Sequence, residues 1–308
     1  MIGVVVNPHA GRNRRQRQRL QRLEEIVGKS GIVVEPPSLG ELDTVLRQFE
    51  RRGVSILAVC GGDGSFFRTL SSAARIYGTD RLPRFLPLRA GSMNTIARSV
   101  GCRSGSPEKV LAQIVADLRA GRELDLTESQ LICVNGDELG FMTGAGAVVN
   151  FLQAYYNGNG RGPLAAVSVF GRAALSALAR SEFAERLLTG IDADIHCDGD
   201  AVAQRYFNFL YASSINEIGL GIRVTYRGAE RRGFFHLIAG DLRPMEAVRR
   251  IPRLRRGLPL DLPTVFDSLA QAVRIEFPKP THYMIDGDVL GAVRQLDLVS
   301  GPRLTILR

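Results

Sequence analysis

Residues 58–65 read AVCGGDGS, an apolar run that ends in three glycines and one acid directly before the helix-patterned stretch 66–77. Glycines let a backbone approach polyphosphate closely, and a carboxylate at the same place can hold the magnesium that accompanies it. Glycine-rich loops also form ordinary tight turns, because glycine adopts positive φ without strain. The stretch therefore indicates a nucleotide-using phosphotransferase only if other segments support it.

The first 120 or so residues alternate strand and helix patterns. Apolar residues at helical spacing predict helices over residues 14–28, 41–52, 65–77, 93–100 and 107–120. Short apolar runs predict strands over residues 2–6, 31–35, 54–60 and 84–88. Such alternation favours a Rossmann-like α/β domain, a parallel sheet covered by helices with ligand loops at the carboxyl ends of its strands.

After Gly121 the pattern changes to short segments of period two, separated by Gly, Pro and Asp turns. This texture predicts an antiparallel β-sandwich. Helical patterns interrupt it near residues 147–157, 163–188 and 244–256. The chain therefore contains a second domain of a different class.

Three further motifs accompany the glycine-rich loop. Residues 4–12 read VVVNPHAGR, residues 86–97 read LPLRAGSMNTIA, and residues 285–288 read IDGD. Together these motifs resemble the bacterial type of the diacylglycerol, sphingosine and ceramide kinase family, whose catalytic domain carries N-P-x-x-G, G-G-D-G-T, G-T/S-x-N and a late D-G-E. Their order and spacing match over essentially the whole chain.

The resemblance implies the fold shared by diacylglycerol kinases and NAD kinases. It implies a nucleotide-binding catalytic domain over residues 1–124, joined by a tail over 296–308 that returns to pack on it. Residues 125–295 would then form the β-sandwich domain that takes the lipid.

The resemblance also implies an ATP- and Mg²⁺-dependent lipid kinase that phosphorylates a hydroxyl of a diacylglycerol-, sphingoid- or ceramide-like lipid. Asp63 would hold magnesium directly or through water, and Asp288 aligns with the acid proposed as general base, with Asp63 as the rival base. Ser38 is alternatively a helix cap, Asn94 alternatively ties the loops together, and Asp286-Gly287-Asp288 is alternatively a solvated turn. The residues implied to contact nucleotide are Asn7, Pro8, His9, Ala10, Gly11, Ser38, Gly61, Gly62, Asp63, Gly64, Ser65, Phe66, Phe67, Ser92 and Asn94.

The chain departs from the family pattern at several positions. It has Phe67-Arg68 where the family often has Asn-Glu, Thr95 where it usually has Asp, and Asp288 in place of the late Glu. Some bacterial members of the family bind a structural magnesium through acids around a glycine near residues 226–235, where this chain reads YRGAERRGFF, so we expect no second metal.

Two rival functions stay open. One is an NAD kinase, which shares the G-G-D-G loop and the two-domain plan, although Asn7-Pro8 and residues 286–288 favour a lipid kinase. The other is a non-catalytic lipid- or nucleotide-binding relative, suggested by Arg68 and Thr95, against which the retention of Asp63 and Asp288 argues.

The formal net charge of +9 indicates an anionic partner. The arginines concentrate in two clusters, Arg12, Arg14, Arg15, Arg17, Arg19 and Arg22, and Arg249, Arg250, Arg253, Arg255 and Arg256. Each cluster is either a solvated helix face or a contact with an anionic leaflet, where each basic residue contributes roughly 1 kcal/mol. No aromatic stacking platform accompanies them and the chain has no Trp, so we expect no nucleic-acid partner.

The four cysteines show neither metal-ligand nor disulfide spacing, which fits a reducing cytoplasm. The initial apolar run leads directly into a turn, so we expect a first strand instead of a signal peptide. The best candidate for a membrane span, residues 164–179, is interrupted by Arg172. We expect a cytoplasmic protein that attaches peripherally to the inner face of the membrane. Its oligomeric state is open, a homodimer included.

Overall fold

The computed structural model describes residues 1–11, 13, 18–158, 160, 162–179, 181–217 and 219–308, and of Leu39 the backbone alone. Two compact units are present, Met1–Ser129 with Pro302–Arg308, and Gln130–Gly301. These limits fall a few residues later than the sequence-based domain limits at 124 and 296. Arg12, Arg14, Arg15 and Arg17 of the first arginine cluster lie outside the described residues, as does the start of the helix expected over 14–28.

A parallel sheet forms the centre of the N-terminal unit. Its strands are β1 (Ile2–Val6), β2 (Gly31–Val34), β3 (Ile56–Gly61) and β4 (Arg84–Arg89). Ile2 of β1 is in register with Gly31 on one side and Ile56 on the other, and the tail joins β4 through Ile306 and Phe85. The order is therefore tail, β4, β3, β1, β2, all parallel, which confirms the Rossmann-like sheet.

Helices cover both faces of this sheet. They are α1 (Arg19–Val27), α2 (Leu39–Arg51), α3 (Asp63–Tyr77), α4 (Thr95–Ser99) and α5 (Pro107–Arg119). Helix α1 packs on α5 over one face, and α2 packs on α3. Ala58 and Cys60 of β3 belong to the core beneath α1 and α5, whereas the alternate residues Leu57 and Val59 are buried outside that cluster. Burial on both faces explains why β3 reads as a continuous apolar run.

The strands of the C-terminal unit form mainly antiparallel pairs. They are β5 (Leu126–Val134), β6 (Glu138–Gly140), β7 (Met142–Gly146), β8 (Ile191–Asp192), β9 (Asp194–Cys197), β10 (Asp200–Ala201), β11 (Tyr206–Phe207), β12 (Phe209–Ser213), β13 (Phe235–Gly240), β14 (Val265–Ala270), β15 (Ala272–Ile285) and β16 (Asp288–Leu307). The first part of β15 pairs with β9, and its end pairs with β7 after a shift in register. The long β15–β16 hairpin thus joins two groups of antiparallel strands.

In the described part of this unit four helices interrupt the strands, namely α6 (Ala147–Asn157), α7 (Pro163–Leu178), α8 (Glu182–Leu187) and α9 (Pro244–Arg255). The prediction of a single helix over residues 163–188 is wrong, because α7 ends and α8 begins within that range. The Ser176 hydroxyl accepts the Ala184 N–H (2.8 Å) and lies 2.9 Å from the Ser181 carbonyl oxygen, which fixes the turn between the two helices. Within the described ranges, no helix combines the length and apolarity needed to cross a bilayer.

Candidate functional site

Three of the sequence motifs meet at one edge of the N-terminal sheet. The loops that follow β1, β3 and β4 leave the carboxyl ends of three neighbouring parallel strands. Beyond β1 the chain crosses to β2 on one side, and it then returns to β3 on the other side. In open α/β sheets, ligands bind in the crevice at such a switch point.

The turn after β1 is joined to the glycine-rich loop through Asn7. Its Nδ2 donates to the Ser65 hydroxyl (2.7 Å), and its Oδ1 accepts the His9 N–H (2.9 Å). The Ala10 N–H donates to the Asn7 carbonyl oxygen (3.2 Å), so that Pro8 and Ala10 lie in a closed turn. Asn7 therefore fixes the position of this turn relative to the start of α3.

The glycines of the central loop are required by close backbone packing. A Cβ on Gly61 would lie 2.4 Å from the Cβ of Ser65, and a Cβ on Gly91 would lie 2.2 Å from the Cα of Gly62. A side chain on Gly61 would overlap with the first turn of α3, and one on Gly91 would overlap with the loop after β3, whether or not a ligand were bound. Close packing within the motif and between the loops thus requires these glycines, in addition to any approach of phosphate.

Helix α3 begins at Asp63, two residues before the expected start. Gly62 is its N-cap in an extended conformation, and Gly64 and Ser65 occupy the first turn. The first N–H groups of a helix have no acceptor inside it and carry partial positive charge. The glycine-rich loop therefore presents the N-terminus of a 15-residue helix at the carboxyl edge of the sheet.

The Asp63 carboxylate caps the short helix α4. Its Oδ2 accepts the Thr95 N–H (2.9 Å) and its Oδ1 accepts the Ile96 N–H (3.1 Å). Both oxygens are thus engaged with consecutive backbone amides. Asp63 holds the loop after β4 against the loop after β3.

Asn94 clamps the peptide group of Gly91. Its Oδ1 accepts the Gly91 N–H (3.0 Å), and its Nδ2 donates to the Gly91 carbonyl oxygen (2.8 Å). Asn94 has a φ of 51°, a left-handed conformation that asparagine tolerates better than most residues. Ser92 lies between them, and its hydroxyl would be 3.1 Å from a Cβ on Gly11. Gly11 and Ser92 therefore bring the first and third loops into contact.

Three other expected site residues have different surroundings. Phe66 and Phe67 are buried, and the Phe66 ring lies 5.3 Å from the ring of Phe85. Ser38 is exposed and is the N-cap of α2, where its side chain makes no capping hydrogen bond. The assigned roles of all these residues in binding nucleotide stay predictions.

The fourth motif forms the tip of the β15–β16 hairpin in the C-terminal unit. Ile285 pairs with Asp288, so that Asp286 and Gly287 are the two central residues of the turn. Their φ angles of 48° and 90° are both positive, which is typical of a type I′ hairpin turn. The Tyr156 hydroxyl of α6 donates to the Gly287 carbonyl oxygen (2.8 Å). Asp288 therefore stands at a fixed place, the first residue of β16.

Asp286 is buried, which excludes a solvated turn for this acid. Its Oδ1 accepts the N–H groups of Phe141 and Met142 (2.9 Å each), and its own N–H donates to the Met142 carbonyl oxygen (3.0 Å). The carboxylate thereby anchors the hairpin tip to the start of β7. Asp288 is only partly buried.

A buried polar chain behind the first loop was not expected from the sequence. Asn13 donates to the carbonyl oxygens of Asn7 (2.6 Å) and Cys60 (3.0 Å), and it accepts from Arg19 (2.6 Å). Arg19 also binds Glu108 of α5 at 2.7 Å. Burial, the largest single effect, opposes ionisation of Glu108, but the hydrogen bond and charge of Arg19 act together with hydrogen bonds from the Glu108 backbone and Ser106 and lower its pKa. The solvated-face interpretation is therefore wrong for Arg19, which is 3% exposed.

Comparison with known proteins agrees with this geometry. Residues 1–127 match the family described as diacylglycerol kinase catalytic domain. A crystal structure described as a diacylglycerol kinase from Bacillus anthracis str. Sterne is similar, with a TM-score of 0.65 and 15% identity, over 99% of this chain and 96% of that one. Two further structures from that organism cover the same shares, with TM-scores of 0.69 and 0.68 and identities of 14% and 15%. No curated protein matches. At these identities the structural likeness shows that the fold is shared.

Proposed function

Residues 1–127 belong to the diacylglycerol kinase catalytic domain family, and from this premise we propose that the protein is an ATP- and Mg²⁺-dependent lipid kinase. The acceptor would be a hydroxyl of a diacylglycerol- or sphingoid/ceramide-like lipid. The observation that carries the proposal is the convergence of three motif loops at the switch point of a parallel sheet. Asn7 and Asp63 tie these loops to one another, and Asn94 holds the third loop in shape.

The loops have the properties that phosphoryl transfer requires. Catalysis of this reaction consists mostly of holding the phosphates, neutralising their charge and aligning the acceptor. The N-terminus of α3 supplies backbone N–H groups and partial positive charge for the phosphates. The links from Asn7 to Ser65 and from Asn94 to Gly91 hold the loops in place before nucleotide binds, which lowers the entropic cost of binding.

The described residues suit magnesium that is coordinated partly by substrate phosphates and water. No group of three or more His, Cys, Asp and Glu side chains suited to a metal occurs in the described part of the chain. Magnesium is commonly held by one or two carboxylates with substrate phosphates and water. Asp63 would hold it in this way, directly or through water, from its place between the loops after β3 and β4. When bound, the metal neutralises developing phosphate charge.

Asp288 is the proposed general base. It would accept the proton of the lipid hydroxyl as the hydroxyl oxygen bonds to the γ-phosphorus and the bond to the ADP oxygen breaks. The turn on which it stands is fixed by Asp286 and Tyr156, which supports a positioned carboxylate at this place. Asp286 itself is buried and engaged with two amides, so we assign it to positioning.

The proposal includes the surroundings of the reaction. A lipid acceptor places the enzyme at an anionic membrane surface, and we propose peripheral attachment to its cytoplasmic face. The net charge of +9 supports this partner. We propose no nucleic-acid partner.

One panel tests the function. Purified protein is incubated with labelled ATP and Mg²⁺ against diacylglycerol, monoacylglycerol, ceramide, sphingosine and NAD, beside Asp288→Asn. We expect label in one lipid class, little in NAD, and a strong loss in the variant. Label in NAD alone would establish the NAD kinase rival, and ATP binding without any turnover would establish a non-catalytic relative.

A further inference from the structure

Helix α7 carries an apolar face that is open to solvent. Leu164 is 85% exposed, Val167 53%, Leu175 69% and Leu178 63%. At 3.6 residues per turn, these four positions fall on one side of the helix. Gly171 lies on the same side and has no atom within 4 Å of the place where a Cβ would stand. Soluble domains seldom expose such continuous apolar surface without a partner for it.

The opposite side of α7 is the one that packs into the unit. Ala166 and Ala177 are buried there, and the Phe170 ring lies 4.5 Å from the ring of Phe151 in α6. One side of α7 is therefore buried and the other is exposed, although both sides are apolar. Its exposed leucines are not part of the core.

The charges of α7 and of its neighbour α9 are mostly basic, whereas α8 carries Glu182, Glu185 and Arg186. Within Pro163–Leu178 the only charged residue is Arg172, whose guanidinium lies 4.0 Å from the centre of the Phe183 ring. Helix α9 packs against α7. Side chains of α9 and its N-cap line an open groove of about 520 Å³, and they include four arginines and one acid: Arg243, Met245, Glu246, Arg249, Arg250 and Arg253.

We propose that α7 and α9 form a docking surface for an anionic bilayer, with the exposed leucines of α7 entering the acyl boundary and the arginines of α9 contacting lipid phosphates. An apolar helix face beside basic side chains has the chemistry of an interfacial membrane contact. The choice of a bilayer rests on the proposed function, because a kinase with a lipid acceptor must reach the membrane. A second copy of this chain fits less well, since it would bring two arginine-rich helices towards each other.

The test measures binding of the full-length protein to vesicles of phosphatidylcholine, with or without phosphatidylglycerol. The double variant Leu164→Ser/Leu175→Ser should bind anionic vesicles at least about tenfold more weakly, because two large apolar side chains no longer leave water. The matched control is Leu118→Ser/Val299→Ser, whose positions are 39% and 49% exposed outside α7 and α9, and it should bind like the wild type.

The arginines are tested by salt. Arg249→Gln/Arg250→Gln should weaken binding to anionic vesicles at low ionic strength and have little effect at about 1 M salt, where the Debye length is only about 3 Å. The Leu164→Ser/Leu175→Ser variant should stay weak at both salt concentrations. An arginine variant that binds like the wild type at low salt would overturn the assignment of α9.

Three results would overturn the docking surface. The wild type could bind no vesicles, or the leucine variant could bind them like the wild type. Third, light scattering could show that the wild type is a dimer and the leucine variant a monomer, with vesicle binding retained. Turnover of a dispersed short-chain diacylglycerol separates this proposal from the kinase proposal, and the leucine variant should retain it. If no protein turns over any lipid while the leucine variant still loses vesicle binding, the docking surface stands and the kinase proposal fails.

Discussion

Replacing Asp63 with Asn changes one oxygen of the carboxylate into an amino group. In the structure the two oxygens accept the Thr95 N–H at 2.9 Å and the Ile96 N–H at 3.1 Å. Asparagine can keep one of these bonds, but its amino group would then face a second N–H donor. A hydrogen bond to a charged group is worth about 1.5–3 kcal/mol, and the negative charge at the start of α4 adds about 0.3–1 kcal/mol. We therefore expect Asp63→Asn to lose about 2–4 kcal/mol of unfolding free energy.

The measurement is urea unfolding followed by circular dichroism, with ATP binding and lipid turnover on the same preparations. Asp80→Asn is the matched control, because Asp80 is an exposed acid of the same unit. The control should unfold like the wild type and retain its turnover. Asp63→Asn should lose stability and also turnover per folded molecule, because it removes the proposed magnesium ligand.

Two outcomes would refute parts of this reasoning. Unchanged unfolding free energy in Asp63→Asn would mean that the two amide contacts do not stabilise the fold, contrary to the capping argument. Lower stability with normal turnover per folded molecule would leave Asp63 with a structural role and remove it as the magnesium ligand.

Gly91→Ala should cost at least about 2 kcal/mol, because its Cβ would stand 2.2 Å from the Cα of Gly62, whereas Gly291→Ala has nothing within 4 Å and should be nearly neutral in urea unfolding. Asp288→Asn should lower kcat by about 10²–10⁴-fold with ATP affinity unchanged, and Asp288→Glu should stay active. Steady-state rates and an ATP titration measure the two quantities, and a loss of ATP affinity with unchanged kcat would contradict the assignment. Burial opposes ionisation of Asp267, but the hydrogen bond and charge of its partner His236 help to lower its pKa below 3.8 in the folded protein. The ionised carboxylate therefore stabilises the fold above pH 3.8, and this contribution is lost as the pH falls through the lower pKa of the folded state. Urea unfolding between about pH 6 and pH 3 should therefore show a smaller loss in Asp267→Asn than in the wild type, and equal losses would refute the assignment.

The N-terminal elements could be predicted from the sequence because each one depends on a local pattern. Strand β1 is found at the expected residues, and α5 ends one residue before the expected limit. Apolar spacing reports which side of each helix faces the sheet, and that needs no knowledge of distant residues. The shift in the start of α3 has a local cause as well, since Gly62 is extended and caps a helix whose first turn contains three of the loop's own residues, Asp63, Gly64 and Ser65.

The contacts that arrange the site could not be predicted in the same way, because their partners are far apart in the sequence. Arg19 stands among arginines for which the charge pattern indicates a solvated face or an anionic leaflet, and its partner Glu108 lies 89 residues later. The glycine at 91 likewise fits a ligand-binding loop, whereas the structure shows that it passes within backbone contact of Gly62. A sequence pattern indicates which residues are unusual without showing whether a ligand or a neighbouring loop requires them.

The motif acids illustrate this most clearly. Asp63 accepts the N–H groups of two consecutive residues, Thr95 and Ile96, with one oxygen each, and Asp286 accepts those of Phe141 and Met142 with a single oxygen. In each unit a motif carboxylate therefore fixes the backbone of an adjoining segment. A carboxylate that accepts two backbone amides contributes to stability whether or not it also takes part in chemistry. Loss of activity after its replacement therefore does not by itself identify a catalytic group. Turnover has to be compared per folded molecule. By that measure, replacement of the proposed base Asp288 and replacement of the anchoring Asp286 should have different effects.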